Sequence, residues 1–312
     1  KKRRSSGKRS VRTALALLIA CIAGIVAVWL IPDGDRRNAP PPPQTLSTEE
    51  KTENATEPER VGSPPALVKK VERKKIAILI DDIGYEPGVL RRLLAIEAPL
   101  AFSVLPHIPH SRSSAEAVHR AGKEVLLHLP MEPHGYPDRN PGRGALFASM
   151  TAREIRKILE EDMKSVPRAE GVNNHMGSKF MEEREPLRVV FDVLDARGLY
   201  FVDSVTTDAS VARELAAEKN LRFAPRDLFI DDAEDRGWAR VHLERLLDTR
   251  SEWNELLLIG HPYPETVAAL EEMIPRFQSR GIEFVPLSAL VESRQGPRIS
   301  GLEGNKNRNR TP

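Results

Sequence analysis

A single cysteine, Cys21, is present in the 312 residues of the chain. No intrachain disulfide and no cysteine-rich zinc site can form, so a bound metal has to be held by histidine and carboxylate. Net charge is nearly absent as well, since 47 Lys and Arg stand against 45 Asp and Glu. The small excess sits at one end: Lys1 to Arg12 carry seven basic residues and no acid, which leaves 40 basic against 45 acidic residues, or −5, in the rest. That balance argues against nucleic acid as a partner. No Gly-x-Gly-x-x-Gly or Walker-type loop follows the first predicted strand, so dinucleotide and P-loop readings lose their main support. With 40% hydrophobic and 29% charged residues, the chain is neither mostly disordered nor a multi-span membrane protein.

From Ala14 to Ile31 eighteen residues run without a charge, directly after the basic segment 1–12. Their length and polarity predict a membrane-spanning anchor over 13–31. The basic flank is expected to stay in the cytoplasm, which makes the chain a single-pass inner-membrane protein with its main domain in the periplasm. Leu18-Ile19-Ala20-Cys21 has the shape of a lipoprotein cleavage box, but the ten residues after Cys21 are again apolar. A lipidated cysteine is normally followed by a polar tether, so a retained anchor is the better reading. Residues 32–73, with Pro40 to Pro43 and the pair Pro64-Pro65, read as a disordered, semi-extended spacer. Residues 292–312, rich in Arg, Lys, Asn and Gly, read as a disordered basic tail.

Between these ends, 74–291 alternates short apolar runs with amphipathic stretches, the signature of βα units. Strands are predicted at Ile76–Ile80, Ala101–Leu105, Glu124–Leu129, Gly171–Asn174, Leu199–Val202, Leu228–Ile230, Leu256–Ile259 and Glu283–Val285. Helices are predicted over Thr151–Lys164, where Thr151 and Glu154 form a capping box, over Glu185–Arg197, which ends at Gly198, and over Thr266–Arg280, with Pro275 inside. Seven or eight such units predict an α/β fold, a distorted (β/α) barrel of parallel strands.

In a parallel barrel, chemistry gathers at the carboxyl ends of the strands. Six of the eight predicted strand ends carry Asp or His: Asp81-Asp82, His128, His175, Asp203, Asp231-Asp232 and His261. A single Asp there caps the following helix as readily as it reacts, which leaves Asp203 and Asp231-Asp232 open. Two adjacent carboxylates are more than a cap needs. Three histidines converging on one mouth with that pair point to a divalent-metal site. His107 and His110 are expected to cap the next helix, and His119 and His242 lie within helices without a role.

Four motifs occur in order: Asp81-Asp82-x-Gly84, Gly122 to Pro133 (Gly-Lys-Glu-Val-Leu-Leu-His-Leu-Pro-Met-Glu-Pro), Asn173 to Ser178 (Asn-Asn-His-Met-Gly-Ser) and Ile259 to Pro262 (Ile-Gly-His-Pro). Together they resemble the divergent polysaccharide deacetylase family across nearly all of 74–291. The resemblance implies a distorted (β/α) barrel with one divalent metal, usually zinc, that removes acetyl groups from N-acetylated sugars. Carried over, it makes Asp81 the general base, Asp82 a metal ligand, His128 the first metal histidine and His261 the general acid. The better-known polysaccharide deacetylases that the family resembles have a second histidine four residues after the first, a position held here by Glu132, so either Glu132 or His175 completes the ligand set. The Arg-x-Pro-Tyr motif of the better-known deacetylases is absent. Asn173, Asn174, Asp203 and Ser204 are candidates to bind sugar hydroxyls.

Two readings result. One is a membrane-anchored, metal-dependent hydrolase acting on an envelope glycan, peptidoglycan-related material above all. The other is a glycan-binding or division-apparatus adaptor that keeps the fold without turnover. The anchor carries its own test: a compartment-sensitive reporter inserted in the 35–70 linker should be active only outside the cytoplasm, and activity inside would reverse the topology.

Overall fold

The structure, a computed structural model, describes residues 73–231, 238–248 and 253–295. The basic segment, the apolar run, the Pro-rich spacer up to residue 72, Asp232 and the tail beyond residue 295 lie outside the described residues, whereas residues 292–295, expected to belong to the tail, are helical and end the helix Leu287–Gln295. Among the described residues the elements run β1 (Lys75–Ile83), α1 (Pro87–Leu94), β2 (Ala101–Val104), α2 (Ser111–Arg120), β3 (Glu124–Met131), α3 (Ala152–Ser165), β4 (Gly171–Met176), α4 (Arg184–Ala196), β5 (Tyr200–Asp203), α5 (Ala212–Lys219), β6 (Phe223–Pro225), β7 (Leu228–Phe229), α6 (Trp238–Leu246), β8 (Glu255–Gly260), α7 (Pro264–Ser279), β9 (Glu283–Phe284) and α8 (Leu287–Gln295).

The strands pair in parallel in the order β6-β5-β4-β3-β2-β1-β8-β7, with β9 on the amino-terminal end of β1. The sheet is therefore curled and incompletely closed, with nine strands among the described residues where seven or eight are expected. The extra strand is β6, three residues long and ending in proline, too short to leave a periodic signal in the sequence. The segment 223–229 pairs with β5 through its first half and with β8 through its second. At its bend, Arg226 N–H donates to Asp203 O and Asp227 N–H to Leu257 O. Arg294 of α8 braces the same bend through Pro225 O and the Asp227 carboxylate.

Successive residues of a strand face opposite sides of a sheet, and the packing follows that period of two. On β1, Ile76, Ile78 and Ile80 face the outer helices, whereas Ala77 and Leu79 belong to a separate inner cluster with Ala101, Leu126, Tyr200, Val202, Leu257 and Ile259. Leu287, Leu290 and Val291 of α8 complete that inner cluster. Ser288 donates to Glu124 and Ser293 to Glu255, the first residues of β3 and β8, so α8 closes the amino-terminal end of the barrel. The opposite end, where the strands finish, is left for side chains that are not apolar.

The predicted helices are present with small shifts of boundary. α3 has the expected capping box, with Glu154 N–H donating to Thr151 Oγ1 and Thr151 N–H to Glu154 Oε2. α7 starts earlier than expected, at Pro264, because proline suits the first helical turn, where its missing N–H has no partner to lose.

Inside the barrel Gly171 pairs with Tyr200 on the neighbouring strand, and a Cβ at 171 would lie 2.5 Å from the tyrosine ring. The glycine makes room for the ring, whose hydroxyl donates to Glu124 at 2.9 Å. Gly171→Ala should destabilise the protein by about 1–3 kcal/mol through overpacking, read as a lower denaturant midpoint at unchanged slope. An unchanged midpoint would show that the ring moves aside freely.

Candidate metal centre and catalytic site

The inward parity that makes the inner cluster also builds the site. On β1 the series Ala77, Leu79 continues to Asp81. On β3 Leu126 continues to His128, on β4 Gly171 continues to Asn173 and His175, and on β8 Leu257 and Ile259 continue to His261. Ser103 follows Ala101 on β2 in the same way. Asp82 has the wrong parity, and two features re-aim it. The β1–β2 register shifts between Ile80 and Ile83, and Asp82 takes a left-handed backbone with φ 55°. Such bulges at the rim of a sheet turn a side chain to a new side, and here the second carboxylate joins the first at the mouth.

Asp82 Oδ1 lies 3.2 Å from His128 Nε2 and 3.2 Å from His175 Nδ1, and those two ring nitrogens are 3.1 Å apart. This triad is a cluster of potential metal ligands whose donor atoms all lie within 4.8 Å of one another. Asp82 Oδ1 is buried and accepts no well-formed hydrogen bond. His128 is fully enclosed and holds its other nitrogen 2.9 Å from Asn173 Oδ1. Asn173 in turn donates to Asp81 Oδ1 at 2.8 Å.

The two neighbouring carboxylates are driven apart in acidity. Burial pushes Asp81 up, against the opposing charges of His128 and His261, and the charge of Asp82 adds to the rise. Burial would raise Asp82 too, but the facing imidazoles of His128 and His175 outweigh it and hold that carboxyl well below the usual range. His261 is placed differently. Its Nδ1–H donates to Asp231 Oδ1 at 2.8 Å and its backbone N–H to Asp231 Oδ2 at 2.7 Å, while Thr266 Oγ1 donates to the same carboxylate at 2.6 Å. Burial lowers the pKa of this imidazole, yet Asp231, with Asp81 and Asp82 behind it, pushes it up to about 9. The ring stands between Phe229 and Tyr263, with centroids 5.8 and 5.5 Å away.

Other expected residues fall outside this centre. Glu132 is not in the ligand cluster: its carboxylate takes Lys179 Nζ at 2.7 Å and Ala148 N–H at 2.8 Å. Lys179 and that backbone donor hold its pKa below the usual glutamate value in spite of burial. The four candidates for sugar recognition are corrected by their burial, because all are enclosed and their polar atoms are spent within the protein. Asp203 has outward parity and accepts Val205 N–H and Ser210 Oγ. Asn174, also of outward parity, ties Ser204 N–H to Met176 O. Ser204 Oγ donates to Asn174 O, and Asn173 is bonded on every side. His107 bonds Asp162 at 2.7 Å instead of capping a helix, and His110 occupies the N-cap position of α2 without a side-chain capping bond. His242 meets Ile230 O. The sequence reading left Asp231 open as a cap and missed its grip on His261. Its inward parity, two residues after Phe229, was the signal that could have found it.

A family model described as divergent polysaccharide deacetylase matches residues 78–291. The uncharacterized protein YibQ of Escherichia coli is 36% identical over 230 residues, which span 74% of this chain and 71% of that protein. An uncharacterized protein of Haemophilus influenzae is 28% identical over 199 residues, 64% of this chain and 70% of that one. Among solved structures, uncharacterized protein ATU2773 of Agrobacterium tumefaciens superposes with a TM-score of 0.64 at 24% identity, over 71% of this chain and 90% of that one, which shows a shared fold. With its parallel, curled barrel and the matched span covering every residue of the centre, the chain belongs to the divergent polysaccharide deacetylase family.

Proposed function

We propose that the protein is a metal-dependent hydrolase that removes acetyl groups from an envelope glycan, held at the inner membrane by residues 13–31 with the barrel on the periplasmic side. The observation that carries this reading is the convergence of Asp82, His128 and His175 beside a buried carboxyl, Asp81, and a histidine held by an aspartate, His261. Two imidazoles and one carboxylate suit a divalent cation such as zinc. The buried, unbonded oxygen of Asp82 is what a ligand awaiting a cation looks like. When bound, the cation would polarise an acyl carbonyl and lower the pKa of water from about 15.7 to about 7.

The remaining work falls to the protein's own groups. Asp81 is hydrogen-bonded by Asn173 and stays out of the ligand triad, and its raised pKa suits a general base that takes the proton of the attacking water. His261 gives a proton to the departing amine or alkoxide, and Asp231 fixes its Nδ1–H so that Nε2 is the acidic end. Three of the four tyrosines, Tyr85, Tyr136 and Tyr263, are exposed at 56%, 43% and 38% and lie on the connections after β1, β3 and β8. These connections all leave the carboxyl end of the sheet, and Tyr263, stacked on His261, brings one aromatic ring to the centre itself.

Three outcomes are expected. The purified protein should bind one zinc ion, and Asp82→Ala, His128→Ala or His175→Ala should each weaken binding by tenfold or more, whereas Glu132→Ala should leave it unchanged; a Glu132→Ala loss with His175→Ala silent would reverse the ligand assignment. Acetate release from N-acetylated glycan should vanish in Asp81→Asn although zinc is retained, because a base moves a proton and does not coordinate. A parent protein that holds zinc and binds glycan yet releases no acetate would favour the adaptor. Finally, the rate should fall on the alkaline side as His261 loses its proton, near pH 9 with Asp231 present. In Asp231→Asn that fall should move to lower pH, and an unmoved limb would remove His261 from the role of acid.

A further inference from the structure

We infer that Asn173 is a positioning residue serving both halves of the site: its carbonyl sets the tautomer of His128 and its amide aligns Asp81. This deepens the proposed function and rests on it for what the site is for, while the geometry stands without it. Asn173 is on β4 in direct register with His128 on β3, and it is fully buried, so no water can substitute for its partners. Its Nδ2 donates to Asp81 Oδ1 at 2.8 Å and to Ser204 Oγ at 3.2 Å. Its Oδ1 accepts from Ser103 Oγ and faces His128 Nδ1 at 2.9 Å.

The chemistry of these partners leaves one arrangement. Ser204 Oγ gives its only proton to Asn174 O, so toward Asn173 it can only accept; the Asn173 atom that faces both Ser204 and Asp81 is therefore the amide NH2 and the other atom is the oxygen. An amide oxygen only accepts, so His128 has to present Nδ1–H to it. The lone pair of His128 then sits on Nε2, the atom that faces Asp82 and His175. A metal-binding imidazole needs its other nitrogen held in this way, and loss of such a partner typically costs 10–100-fold in affinity. Asparagine fits because two acceptor lone pairs and two N–H donors lie on one short planar group. Asp offers the acceptors without the donors, and Ala offers neither.

The two arms can be separated with zinc as the probe. In the zinc-loaded parent, long-range proton–nitrogen NMR should place the His128 proton on Nδ1. Asn173→Ala should weaken zinc binding by about 10–100-fold and release His128 from that tautomer. Asn173→Asp keeps an oxygen for Ser103 and His128, so it should bind zinc at least as well as the parent, yet lose acetate release because Asp81 has lost its donor. A parent with the proton on Nε2, an Asn173→Ala protein that binds zinc like the parent, or an Asn173→Asp protein that loses zinc as Asn173→Ala does would each overturn the inference. Should Asn173→Ala fail to fold, the parent spectrum and Asn173→Asp still decide. Absence of acetate release from the parent would count against the deacetylase reading alone, since the zinc and NMR readouts do not depend on it.

Discussion

Two adjacent carboxylates, one of them buried, cannot share the end of a strand without groups of opposite character facing them, and the rest of the site is the answer to that constraint. Asp81 lies in the barrel with Asn173 on one oxygen, and Asp82, turned by the bulge, faces two imidazoles. His128 is the common partner, 3.7 Å from Asp81 Oδ2 and 3.2 Å from Asp82 Oδ1. Because the two surroundings differ, burial prevails at Asp81 whereas at Asp82 burial is outweighed by the two facing imidazoles together, and the acidities move in opposite directions. Neighbouring titratable groups driven apart in this way take different chemical roles: one is suited to accept a proton and the other to hold a cation.

The barrel makes this possible through rigid parity. Each strand that delivers apolar residues to the inner cluster delivers, one or two steps further on, a polar residue to the mouth. Adjacent strands lie about 4.8 Å apart, so residues in register on β3 and β4, such as His128 and Asn173, meet without any loop to position them. α8 fills the other end with Leu287, Leu290 and Val291, leaving one open end for chemistry. The long connection after β3 contributes Ala148 N–H, which with Lys179 occupies Glu132, so Glu132 is turned to structure and His175 stands in the cluster.

Much of this was legible before any coordinates. Short runs of three to six residues mark eight of the nine strands among the described residues, and the residues that follow them mark the mouth. What escaped falls into four kinds. β6 is too short and proline-bound to show a period. Direction was missing: polar residues at strand ends were pooled as sugar ligands, although alternation assigns Asp203 and Asn174 to the outer face and buries Asn173 and Ser204 in the network. Partnership across the sheet was missing too: parity puts Asp231 on the inner face without naming His261, 30 residues away, as its partner, and Glu132 meets Lys179 from 47 residues away. The left-handed turn at Asp82 is likewise a product of packing, since aspartate carries no obligation to adopt it.

The residues of the centre all lie within the span that matches the family, and coordination is the property on which the rest of the account stands. X-ray absorption at the zinc edge of the metal-loaded protein reads that coordination directly. Two imidazole nitrogens at about 2.0–2.1 Å and carboxylate or water oxygen at about 2.0–2.2 Å, with one imidazole signature lost in His128→Ala, is the spectrum expected of the Asp82, His128 and His175 centre. A zinc ion surrounded by oxygen alone, or one whose spectrum is unchanged when His128 is removed, would contradict it.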